Sequence, residues 1–296
     1  MLIHRIERGA GFTLVELLVA VTLLGIISAA ILGVALRQQR FHLATMATIE
    51  ARRAARDGAD VLRGDLRAIA PAAGDLYAIG TSDVELRAAA GTSVVCAVGD
   101  TRDVIHLPPR AAANGVLTSW VVPPARGDTV FVRAASLRPD QARWDAHVLT
   151  ADPAGGGCPT AGGFVATPAE SASAIALHIA PPLAPNISPG AALRVVRRVR
   201  YELYRAGDGQ WYLGYQDCLP SRATPCATVQ PVSGPYAPGG VRFGWRDSSG
   251  AETSDPTRVR RIDVATVARS GAAIRARGFA PRPAAESLSF TITPRN

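Results

Sequence analysis

Among the residues able to do chemistry, one carboxylate stands apart. Glu16 heads an apolar run in which Leu17 to Leu36 supplies twenty residues without a charge. A charged side chain at a bilayer centre costs roughly 2.5–3.5 kcal/mol even on lenient insertion scales, so a lone acid in such a run calls for a partner. The other reactive types do not converge. His4, His42, His106, His147 and His178 fall in no H-E-x-x-H pattern. Cys96, Cys158, Cys218 and Cys226 form no C-x-x-C pair and have no metal-like spacing with histidine. Neither a Gly-x-Ser-x-Gly elbow nor a phosphate-binding P-loop is present, and Gly155-Gly156-Gly157 lacks a strand-to-helix context, so it reads as a loop. Arg63-Gly64-Asp65 and Arg126-Gly127-Asp128 spell adhesion-like tripeptides, which an arginine-rich chain produces by chance. No catalytic residue, metal site or cofactor is expected, and the reading is not an enzyme.

The elements around Glu16 are legible from periodicity. Twenty helical residues rise about 30 Å, the thickness of a bilayer's hydrocarbon core. A short polar leader with Arg5 and Arg8 precedes the run, and Arg37 and Arg40 follow it, so charge counting alone does not orient the span. The run is too long for the h-region of a secretory signal, and no small-x-small cleavage site frames it. Beyond it the pattern stays helical. Ala44, Ala51, Ala55, Ala59, Leu62, Leu66 and Ile69 make an apolar stripe, with Arg52, Arg53, Arg56, Asp60, Arg63 and Arg67 mostly off it. Pro71 lacks the N–H to continue and disfavours helix in the residue before it, so the helix is expected to end near Ala70. From Phe12 that is a single helix of about 88 Å at 1.5 Å per residue. Gly25, Gly33, Gly58 and Gly64 mark places where it is expected to bend or melt.

From Asp75 onward the period changes to two. Strands are expected at 84–86, 93–98, 104–107, 117–122, 129–133, 147–150, 175–179, 193–204, 211–215, 241–245, 260–267 and 288–293. In the clearest, Leu193, Val195, Val199, Tyr201 and Leu203 share one face, while Arg194, Arg198, Arg200 and Glu202 share the other; Val196 and Arg197 break the alternation. Ala206-Gly207-Asp208-Gly209 then turns the chain into a hairpin with Trp211, Leu213 and Tyr215. Asp152–Pro168, Pro181–Pro189 and Pro220–Gly240 read as loops. Trp120, Trp144, Trp211 and Trp245 read as core or interface aromatics. The chain has 296 residues and a net charge of +8, with arginine as its only long basic residue. The arginines are scattered, which reads as compositional bias more than as a polyanion-binding patch.

Gly11-Phe12-Thr13-Leu14-Val15-Glu16-Leu17-Leu18-Val19-Ala20 resembles the N-terminal signal of type IV pilins and type II secretion pseudopilins. The resemblance covers about the first tenth of the chain. It implies that a prepilin peptidase cuts between Gly11 and Phe12, that Phe12 is then N-methylated, and that Glu16 supports filament assembly. A freed Phe12 amine, with an ordinary pKa near 7.7–8.0, suits pairing with Glu16 of a neighbouring subunit, because a buried charge is tolerated when paired. The implied fold is α+β and pilin-like: a long N-terminal helix on an antiparallel sheet. Its parts would be a leader at 1–11, a transmembrane or filament-core helix at 12–36, an amphipathic continuation at 37–70 and a β-rich domain at 71–296. The implied place is the bacterial inner membrane, single-pass, with the C-terminal domain periplasmic, and then a pilus or pseudopilus. The partners would be the prepilin peptidase and other pilin or pseudopilin subunits, with no small-molecule substrate. The large domain suggests a minor subunit near the tip, of the J-type pseudopilin or W-type minor pilin kind. In an exported domain an even cysteine count suggests disulfides. Four cysteines allow three connectivities; Cys218 and Cys226 flank a Pro-bounded loop, 219–225, and are expected to close it, leaving Cys96 with Cys158. Two alternatives stand beside this reading: a pilin-like module that captures DNA for uptake, suggested by the arginines, and a signal-anchored envelope protein of unrelated function.

Overall fold

The computed structural model describes residues 13–113, 115–134, 143–218, 226–274 and 280–295. One helix, α1 (Leu14–Ala68), runs through 55 residues without a break, about 82 Å at 1.5 Å per residue. It starts at Thr13, whose side chain caps the first turn, and stops where Ile69 becomes extended ahead of Pro71. None of the four glycines interrupts it, contrary to the weak points expected. An isolated glycine costs about 1 kcal/mol relative to alanine, and each has one strong helix former beside it, Leu24, Leu32, Ala59 and Arg63, in a helix long enough to propagate through it.

Fourteen strands are present among the described residues: β1 (Leu76–Ile79), β2 (Asp83–Val94), β3 (Ala97–Val98), β4 (Val104–Leu107), β5 (Ser119–Trp120), β6 (Thr129–Arg133), β7 (Trp144–Leu149), β8 (Ala154–Gly155), β9 (Ile175–Ala180), β10 (Ala192–Arg205), β11 (Trp211–Asp217), β12 (Gln230–Arg246), β13 (Arg261–Ile274) and β14 (Arg282–Ile292). A short helix, α2 (Pro168–Ala172), precedes β9. The strand pairs are antiparallel, in the order β14-β13-β12-β11-β10-β6-β7-β9-β4-β3. The long strand β10 is the spine. β2 follows one of its edges from Ala192 to Glu202, while β6 and β11 share the other in tandem, β6 to Val196 and β11 from Val199. The whole is α+β: a long apolar N-terminal helix followed by a large antiparallel sheet, the pilin-like arrangement.

The tandem pairing divides the interior in two. Leu62 and Leu66 of α1, with Ile69 just past its end, pack with Leu86, Val199, Tyr201, Leu213, Phe243, Ile262 and Val264 in one core. Ile105, Leu107, Val130, Val132, Leu149, Leu177, Leu193 and Val195 form a second, without the helix. Val196 and Arg197, the residues that break the alternation in sequence, sit at the junction. There the register of β2 against β10 slips by one residue, with Ala90 extra. Arg197 is buried in the gap between β6 and β11 and forks onto Asp128 with two hydrogen bonds of 2.8 and 2.9 Å; it also donates to the Pro123 carbonyl at 2.9 Å. Asp217 of β11 lies 3.5 Å from the same guanidinium. These anions and hydrogen bonds hold the Arg197 pKa above its ordinary value.

Several strand boundaries move. Residues 230–240, expected as loop, are the first half of β12. The glycines and prolines of the stretch gave that expectation; Pro231 and Pro235 lie where the pairing with β11 shifts register, a place where strands tolerate proline. Leu76–Ile79 is a strand not expected from the sequence, the 117–122 strand contracts to Ser119–Trp120, β13 runs well past its expected end and β14 begins well before its expected start.

Candidate functional site

The N-terminal half of α1 is the unusual surface. From Leu14 to Leu36 every residue is exposed, and almost all are apolar. It is the one helix among the described residues long and apolar enough to cross a membrane. Thr22 and Glu16 find hydrogen-bond partners within their own turn. The Thr22 hydroxyl donates to the Val19 carbonyl at 2.8 Å. At the head, the Glu16 carboxylate accepts from the Thr13 N–H and the Thr13 hydroxyl, each at 3.0 Å, while the Glu16 N–H donates back to Thr13 Oγ1 at 3.2 Å. This reciprocal capping box satisfies two of the helix's orphan donors and places negative charge at the positive end of its dipole. The sequence reading saw Glu16 only as an acid in want of a partner. The Thr-x-x-Glu spacing was the available signal for a partner three residues away. Gly11 and Phe12, the expected cleavage pair, lie outside the described residues.

The C-terminal half of α1 is pinned. Gly58, read as a weak point, is where helix and sheet come closest: a Cβ there would stand 2.2 Å from the Tyr236 hydroxyl and 2.6 Å from Ser233 Oγ. That bare backbone lets Tyr236 reach the helix and donate to the Ala54 carbonyl at 2.9 Å. Two turns beyond Gly58, Tyr201 donates to Asp65 at 2.6 Å. Burial raises the Asp65 pKa, and the tyrosine bond only partly opposes it. Arg52 pairs with Glu286 at 3.3 Å, Arg63 lies over the Phe290 ring at 4.2 Å, and Glu50 accepts from the Gly271 N–H at 3.1 Å. The end is held by the Arg295 N–H on the Ile69 carbonyl and by Asp75 accepting from the Ala70 N–H. Both Arg-Gly-Asp tripeptides have their aspartates in internal contacts: Asp65 here, and Asp128 under Arg197.

The remaining reactive types stay apart. Cys96 is bonded to Cys158, and Cys218 to Cys226. The interior of the second loop, 219–225, lies outside the described residues. The Cys96–Cys158 bridge forms a small cluster of its own with Val165 and Ala174. Glu85 lies near Cys218 and Cys226 in a metal-like group, but both sulfurs are consumed by their disulfide and the carboxylate is bonded to Arg198. His106 accepts from the Gly157 N–H, and burial, with His178 nearby, lowers its pKa; His147 is buried against the Pro181 carbonyl. Trp120 and Trp245 are core residues, whereas Trp144 is exposed on the sheet.

Residues 8–32 match the family described as the prokaryotic N-terminal methylation motif. Type IV pilins and pseudopilins carry this motif, and the match supports that family for the chain. The motif implies processing by a prepilin peptidase and assembly with other pilin subunits, and its bearers are structural subunits. Neither a curated protein nor a solved structure matches the chain.

Proposed function

We propose that the chain is a minor pilin or pseudopilin, a structural subunit of a type IV pilus or a type II secretion pseudopilus. The observation that carries the reading is the division of one unbroken helix: an apolar half that no described residue covers and that matches the methylation motif, and a half packed on a large sheet domain. Such a half-helix is satisfied in two settings, a bilayer and a bundle of like helices, and a subunit that passes from one to the other needs both. The leader at 1–11 is removed between Gly11 and Phe12, and Phe12 is N-methylated. Before assembly the protein is single-pass in the bacterial inner membrane, with the sheet domain on the periplasmic side.

Glu16 is the assembly residue in this reading. Its capping box makes it tolerable in a solitary subunit. In a bundle, the Phe12 amine of an adjacent subunit offers it a full positive charge, and a paired buried charge sets register more than it adds stability. The breadth of the sheet domain fits a low-abundance place near the tip, where neighbours are few.

Processing tests the reading directly. Co-expression with a prepilin peptidase is expected to shorten the chain by residues 1–11 and leave a methylated Phe12, read by intact mass. Cleavage elsewhere, or none, removes the family reading.

A further inference from the structure

The sheet face turned away from α1 carries an alternation of guanidinium and aromatic groups across five strands. Arg198 lies over the Tyr77 ring at 4.3 Å, Arg87 over Tyr77 at 5.3 Å and Phe131 at 5.6 Å, and Arg194 over Phe131 at 4.6 Å and Trp144 at 5.1 Å. Most of these cations are already neutralised. Arg87 pairs with Asp75 at 3.1 Å, Arg198 with Glu85, and Arg200 with Asp83 at 3.0 Å and Glu202 at 3.3 Å. Arg194 is the exception. Among the described residues it makes no ion pair, and its Nε, itself buried, has no hydrogen-bond partner. Partial burial depresses its pKa; Asp75 opposes this, while Arg295 and Arg87 add to it, so the charge is under-compensated. Beside it the same face exposes apolar surface: Trp144 is 42 % and Val148 45 % accessible, and Ala146 between them is exposed.

We propose that this face, centred on Arg194, docks another protein that brings a carboxylate to the guanidinium and apolar side chains to Trp144 and Val148. Charge complementarity selects the occupant. The two rings flank the guanidinium, so a carboxylate that reaches its terminal nitrogens meets a charge already held in place. Tryptophan, tyrosine and arginine are the residues that dominate binding energy at protein interfaces. A nucleic acid fits less well. Its phosphates need several uncompensated cations, and base stacking needs open ring faces, whereas Arg87, Arg194 and Arg198 already lie over the rings.

The inference does not depend on how α1 is used, and the test keeps the two apart. A photo-crosslinking amino acid replaces Ala146 in the full-length chain, expressed in its own host. One discrete protein adduct is expected, at least ten-fold weaker in Arg194→Gln and in Val148→Arg, with cleavage, protein level and unfolding midpoint unchanged. Mass spectrometry of the adduct identifies the facing carboxylate. Replacing that carboxylate with arginine is expected to restore the adduct to Arg194→Glu. No discrete adduct, an adduct insensitive to both substitutions, or failure of the charge swap overturns the proposal. So does tight binding of a 30-nucleotide single strand that Arg194→Gln abolishes, which would assign the face to nucleic acid.

Discussion

Leu24 and Leu62 belong to the same unbroken helix, yet Leu24 is 65 % accessible and Leu62 is 0 %. The two halves share backbone geometry and differ in what covers them. Around Leu62 the chain supplies its own cover: β12, β13 and β14 bury one stripe, and Tyr236, Tyr201 and Glu286 fix its register. Around Leu24 no described residue covers the helix, and Thr22 and Glu16 find their partners within their own turn. Helicity in the first half therefore rests on an apolar environment supplied from outside, and in the second on the domain. Substitutions at matched residue types should separate the halves cleanly.

The largest expected effect is on assembly. Glu16→Ala and Glu16→Gln are expected to abolish entry into filaments while leaving cleavage, membrane insertion and the fold of the domain intact. A filament or secretion assay with protein level and processing measured alongside reads this. Unimpaired assembly of both variants would remove Glu16 from that role, and loss of cleavage would move it to biogenesis.

Next come the paired leucines. Leu62→Ala should destabilise the detergent-solubilised protein by about 2–5 kcal/mol, the range for deleting a fully buried leucine. Leu24→Ala should leave the unfolding midpoint unchanged. Equal effects would mean the first half packs on the domain after all.

The glycines sharpen the same contrast on a smaller scale. Gly33→Ala has no atom within 4 Å of the new methyl and should be neutral or stabilising through helix propensity, by about 1 kcal/mol at most. Gly58→Ala must displace Tyr236 and Ser233 and should cost about 1–3 kcal/mol in denaturant unfolding, as overpacked cores do.

The smallest effect is a pH dependence. The folded Asp65 carboxyl holds its proton more tightly than the unfolded one, whose pKa is near 3.8. Stability therefore falls as pH rises through the unfolded pKa, and levels off above the folded one. Asp65→Asn should remove that component from the stability–pH curve while keeping an acceptor for Tyr201, whose hydrogen bond is worth about 1 kcal/mol. An unchanged curve would show that Asp65 does not titrate in that window.

Much of the helix and several strands were legible in advance because each rests on local rules. The charge-free run from Leu17 to Leu36, the stripe from Ala51 to Ile69 and the stop at Pro71 are read from spacing and from the chemistry of proline. Strands 104–107 and 129–133 follow from alternation, and the 206–209 turn from its glycines. The Thr13–Glu16 capping box was equally local and equally readable, since its partners are three residues apart.

Other features depended on contacts remote in sequence. Gly58 looks like a helix defect until Tyr236 stands beside it, 178 positions away. Arg197 looks like an error in a strand pattern until Asp128 fills the gap between β6 and β11. The prolines of β12 looked like loop because a proline's missing donor matters only where a neighbouring strand would need it. What the sequence alone determined was the membrane-length helix, its motif and the period of the chain behind it, each resting on interactions within a few residues. Which glycine is a contact, which arginine is buried and which face of the sheet stays open were decided only by tertiary pairing. Those properties belong to two distant segments at once, and no window of one segment contains them.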